Sequence, residues 1–95
     1  VKRGDFIFTI GYHGGTAIVD GVARKEHGNA SAEELMELGL YRAAFCAALF
    51  DGKLDTFLPV FTARTSIGVT DVEQLKRVFG VFEVPDSVEK VVVIK

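Results

Sequence analysis

The residues of this chain that could do chemistry are few. The densest group is the stretch IGYHGGTAIVDG at positions 10–21. It sets Tyr12 and His13 against Gly14 and Gly15, with Gly11 before them and Asp20-Gly21 after. Glycines between a strand and a helix can turn backbone N–H groups onto a phosphate. A small-molecule or anion site here would use Tyr12, His13, Gly14 and Gly15, with Arg24 supplying positive charge. Two features argue for a hairpin instead. The glycines lead into TAIVDG, rich in β-branched residues and closed by a turn signal, which is no helix start. The spacing of Gly11, Gly14 and Gly15 also fits neither the dinucleotide fingerprint nor the lysine-containing phosphate loop. A tight hairpin needs glycine for its own reason, because its turn residues adopt positive φ.

The other reactive side chains are isolated. His13 and His27 lack the spacing of a metal-ligand pair, and any third ligand would have to be brought in from Asp20, Glu26 or Cys46. Cys46 lies in AAFCAAL among Phe and Ala, the setting of a buried thiol, with Arg42 one turn earlier as its only activating neighbour. RGD at 3–5 is an adhesive tripeptide by composition, and NAS at 29–31 is a glycosylation sequon. Each has a plainer use: Gly4-Asp5 leads into a strand, and Ser31 caps a helix. VARKEHG at 22–28 gathers Arg24, Lys25 and His27 near Glu26, the composition of a solvated face. No residue set implies a cofactor or a bound metal.

Positioning these residues requires a scaffold, and its elements are readable. DFIFTI (5–10) and TAIVD (16–20) have the composition and alternation of strands, with Phe6, Phe8 and Ile10 sharing one face. Residues 22–28 suit one helical turn ending at Gly28. SAEE (31–34) is a capping box and predicts a helix over 31–38, followed after Gly39 by a second over 40–50. The alanines at 43, 44, 47 and 48 let another element approach closely. Leu54, Phe57, Leu58 and Phe61 recur on one helical face. Thr56 as N-cap would start a helix over 56–64 with Pro59 in its first turn. TDVE (70–73) reads as a second capping box, with Thr70 as cap and a helix over 70–79 ending at Gly80. VFEV (81–84) and KVVVI (90–94) read as two final strands, and the unbroken apolar run VVVI predicts a central or otherwise covered one. The expected fold is α+β: one small domain over 1–95, with three or four helices on one face of a mostly antiparallel sheet.

Composition narrows the function. Of the 95 residues, 48% are hydrophobic and 25% charged, which suits a folded domain rather than a disordered chain. The net charge is −2 and the eleven basic residues are scattered among acidic ones, so nucleic-acid binding is not indicated. A single Cys allows no internal disulfide, so nothing argues for an oxidising compartment, and a reducing, cytoplasmic setting is the default expectation. The longest uncharged run is too short to cross a bilayer, and no membrane partner is expected. The chain starts at Val1 rather than Met, as a processed protein or a piece of a longer one would. Eight Phe are many for one domain of this size to hide. The expected function is therefore a non-catalytic interaction module, either a homo-oligomer or a docking domain for a protein partner. The alternative is a small-molecule or anion binder, an enzyme among the options, sited at the 11–15 loop. An exposed apolar patch would favour the first, and a concave pocket lined by Tyr12 and His13 would favour the second.

Overall fold

The computed structural model describes residues 1–95. The fold is α+β, with six helices and a three-stranded mixed sheet. β1 (Thr9–His13) and β2 (Thr16–Asp20) pair antiparallel, and β3 (Lys90–Ile94) lies parallel to β2 on its other side. The order β1-β2-β3 leaves β2 central. Five of the six helices fall between β2 and β3, where a parallel connection needs a long crossover. The sheet is thus half parallel, not mostly antiparallel, and it has three strands rather than four. Residues 81–84 form no strand. Gly80 adopts φ +69° and its N–H closes onto the Lys76 carbonyl at 2.8 Å, with the Val81 N–H on the same carbonyl at 3.2 Å. That cap turns the chain away, and Pro85 removes a ladder donor just beyond it.

The hairpin turn is shorter than expected. Tyr12 and His13 belong to β1, His13 pairs with Thr16, and Gly14-Gly15 alone make the turn. Gly14 has φ +61° while Gly15 does not have a positive φ, the sign pattern of a type II′ turn. Near its other end β1 carries a bulge between Thr9 and Gly11.

The first helix replaces an expected strand. α1 (Arg3–Ile7) is followed directly by β1, so residues 5–10 are split between two elements. Phe6, Ile7 and Phe8 are all buried. A strand with one buried face hides only alternate residues, whereas a helical turn set against the small face of α4 (Tyr41–Phe50) hides all three. In α4, Ala44, Ala47 and Ala48 are fully buried, and α1 packs on this helix with Phe6 against Phe50 at 6.1 Å between ring centroids. α2 (Gly21–His27) starts at Asp20, whose side chain accepts from the Ala23 N–H at 3.1 Å.

α3 (Ala32–Glu37) begins with the expected capping box. Ser31 Oγ accepts from the Glu34 N–H at 3.1 Å, and Glu34 Oε1 accepts from the Ser31 N–H at 3.2 Å. α5 (Leu54–Thr65) starts earlier than predicted, with Lys53 rather than Thr56 at its N-cap. Pro59 is therefore inside the helix. The bond it removes would have gone to the carbonyl of Asp55, an exposed residue within reach of water. α6 (Val72–Phe79) is capped by Asp71, one residue later than expected, with Asp71 Oδ1 accepting from the Gln74 N–H at 2.8 Å. Thr70 instead donates through its hydroxyl to Gln74 Oε1.

Phe45, Phe57, Phe61 and Phe79 join α4, α5 and α6 in one aromatic cluster. Phe45 stacks on Phe79 at 4.7 Å, and Phe61 meets Phe79 edge-on at 5.4 Å. Leu35, Leu75 and Val19 are fully buried in the same core. Five of the eight Phe are buried and two more pack partly against the core; Phe82 alone is exposed. The expected surplus of unburied Phe is absent. The exposed apolar surface is made chiefly of Val, Ile and Leu.

Candidate functional site

The structure disperses the candidate residues of the glycine stretch. Tyr12, His13 and Gly14 are exposed at the hairpin, and Gly15 is half-buried beside them. The Gly15 carbonyl accepts from the Glu89 N–H at 2.8 Å and the Lys90 N–H at 3.2 Å, so this end of the hairpin anchors the start of β3. A strand, not a helix, comes directly after the glycines. Arg24 sits in α2, beyond the far end of β2, which puts about 13 Å of strand between it and the turn. Its guanidinium donates to the carboxylate of Asp5, a buried residue. Asp20 is engaged as the α2 cap.

The other candidates are absorbed by the fold. Arg3 grips Asp51 with Nε–Oδ1 and Nη2–Oδ2 both at 3.0 Å, and Asp5 holds Arg24, so both charges of RGD tie α1 to its neighbours. His27 lies 3.7 Å from Glu26. No three His, Cys, Asp or Glu side chains converge in the manner of a metal site. Cys46 is buried, and burial pushes its thiol up, with Arg42 pulling partly back. A thiol held protonated is a poor nucleophile.

Two surface features remain. One is a shallow cleft of about 410 Å³ in which Tyr12 and Arg42 meet Phe82, Glu83 and Pro85. Arg42 reaches it from the start of α4 while donating to the Thr9 carbonyl at 3.3 Å. The sequence places Tyr12 in a candidate pocket with His13 and Arg24; in the fold it instead lines a cleft with Arg42 and Glu83, from distant segments, for which no local signal exists.

The other feature is the β3 side of the sheet. Every residue of β3 is exposed, with Val91 at 37%, Val92 at 40%, Val93 at 37% and Ile94 at 50%. This reverses the expectation of a central, covered strand. β3 is an edge, and its unbroken apolar run VVVI is exposed on both faces rather than covered. Alternation and register place Ile18, Val92 and Ile94 on one face, opposite the buried Ala17 and Val19. β3 pairs with β2 through five consecutive residues with no irregularity, and it contains no Pro. The two sheet edges therefore differ. β1 carries a bulge, a usual protection against strand addition; β3 carries none.

No helix is long and apolar enough to cross a membrane. Compared with protein-family models, curated proteins and solved structures, the chain shows no match.

Proposed function

We propose that this protein is a non-catalytic interaction module that pairs with another polypeptide along β3. The observation carrying this reading is the regular edge strand KVVVI, every residue of which is exposed. Unpaired N–H and C=O groups along such an edge accept an added strand, and alternate side chains give the contact its apolar area. The dispersal of the charged and glycine residues supports the non-catalytic part. A cytoplasmic setting belongs to the same reading, motivated by the lone buried thiol.

The test uses short extended peptides rich in Val and Thr as generic strand donors. Amide shifts confined to residues 90–94 are expected on titration, and they are expected to vanish in Val92→Lys, since an edge lysine opposes strand addition. A flat response of the parent protein overturns the docking reading.

The alternative, a small-molecule or anion site, is favoured by one observation: Tyr12 and Arg42 share a cleft. Saturating shifts of residues 11–16 and Arg42 with inorganic phosphate or a nucleotide would support it.

A further inference from the structure

We infer that the cleft shared by Tyr12, Arg42, Phe82 and Glu83 takes a small zwitterion with an aromatic body, the class of the free aromatic α-amino acids. This rests on the alternative reading above and names the ligand of that cleft; it is independent of β3. Three distant segments build the site. β1 brings Tyr12, the start of α4 brings Arg42, and the chain after Gly80 brings Phe82 and Glu83. Tyr12 pairs with the buried Ala17, so alternation puts its ring on the helix-covered side of the sheet, where it nonetheless stays 45% exposed. Phe82 is the one Phe that the core leaves uncovered. Two exposed rings thus line one cavity of about 410 Å³, a size within the roughly 300–1,000 Å³ of small-ligand sites. Exposed rings of this kind offer stacking area to another aromatic group.

Charge sets the class. Arg42 donates to the Thr9 carbonyl at 3.3 Å, and its other N–H groups are free. Arg42 and Glu83 are both exposed and line the same cleft, yet neither belongs to an ion pair within the chain. A simple anion would be attracted by Arg42 and repelled by Glu83, and a simple cation the reverse. A ligand carrying both charges satisfies both side chains: its carboxylate accepts from Arg42, and its ammonium donates to Glu83. An aromatic α-amino acid combines these two groups and a ring in one small molecule.

Amide shifts followed during titration with L-phenylalanine test the assignment. Saturating shifts at Tyr12, Arg42 and residues 80–83 are expected, in the millimolar range that suits so small a ligand. Phenylalaninamide lacks the carboxylate and N-acetylphenylalanine lacks the ammonium; each is expected to bind about tenfold more weakly. Glycine, without a ring, is expected not to saturate. Arg42→Gln is expected to erase the preference for phenylalanine over its amide and to keep the preference over the acetylated form. Glu83→Gln is expected to do the converse, a split that loss of structure would not produce. Phe82→Ala is expected to weaken phenylalanine binding about tenfold with unchanged melting. The ligand series on the parent protein decides the class even where a variant melts early. Equal binding of phenylalanine and its two derivatives overturns the zwitterion. Tighter binding of inorganic phosphate than of phenylalanine at the same residues also overturns it, while the alternative reading survives as a plain anion site. A flat response to every ligand overturns both. Shifts at residues 90–94 are read separately, so docking along β3 stands or falls by its own titration.

Discussion

Arg24 and Asp5 form an ion pair across nineteen residues of sequence, and it clasps α1 to α2. Asp5 is nearly buried, while the Arg24 side chain keeps about a third of its surface in water. The two truncations should therefore differ. Arg24→Ala leaves a largely buried carboxylate without its cation and is expected to cost roughly 3 kcal/mol. Asp5→Ala leaves a guanidinium that can swing outward, at roughly 1–2 kcal/mol. Urea denaturation of both variants measures the difference, and equal losses would show that Asp5 also reaches solvent.

Ser31→Ala and Asp71→Ala are each expected to lower stability by about 1 kcal/mol, because each removes the acceptor for an N–H in the first turn of its helix. Thr70→Ala should cost less, since its hydroxyl bonds only to the exposed end of Gln74. Thermal melts of the three proteins rank the caps. A larger loss at Thr70 than at Asp71 would return the cap to the position suggested by TDVE.

The contrast between these two caps shows what local sequence can specify. SAEE offers one acceptor with an acidic residue three places on, and the helix starts there. TDVE offers two adjacent acceptors, and Gln74 decides for Asp71 by taking the Thr70 hydroxyl and N–H. The hairpin, α4 and the Phe45–Phe79 core arise from patterns that are local or helical in period. α1 does not, because Phe6, Phe8 and Ile10 alternate like a strand while α4's alanines and Arg24 favour a helical turn. The exposure of β3 is invisible in sequence for a related reason. An apolar run has the composition of a covered strand, and sequence alone does not show whether the fold supplies the cover. The Tyr12–Arg42 cleft joins residues thirty positions apart and has no sequence signature.

Phe61→Ala is expected to cost roughly 3–5 kcal/mol, since Phe61 is buried and touches both Phe57 and Phe79. Phe82→Ala, at a residue 53% exposed, should stay within about 0.5 kcal/mol. Denaturant titration of the pair distinguishes core from surface Phe. A large loss at Phe82 would mean that its ring is covered in solution.

Gly14→Ala is expected to destabilise by about 1 kcal/mol or more, because φ +61° strains any residue with a Cβ. Gly15→Ala should be nearly neutral: an added Cβ would meet the Glu89 side chain at 3.5 Å, an ordinary contact. His13→Ala should also change little, as an exposed ring with few contacts to lose. Melting temperatures of the three variants test the turn, and equal losses at both glycines would require positive φ at each.

Cys46 links stability to alkaline pH. Burial raises the thiol above its ordinary value of 9.0, and Arg42 offsets only part of that. Once pH passes 9.0, the unfolded chain gives up the thiol proton while the folded chain keeps it. Unfolding then releases a proton, so stability contributed by the neutral thiol is complete below that pH and declines as pH rises toward the folded value. Cys46→Ala removes this contribution and should flatten the alkaline decline relative to the parent, whatever its effect at neutral pH. Arg42→Gln should steepen it, because the remaining cause acts unopposed. Urea midpoints of the three proteins across the alkaline range measure the slopes. Identical slopes for parent and Cys46→Ala would show that the thiol ionises as readily in the folded chain as in the unfolded one.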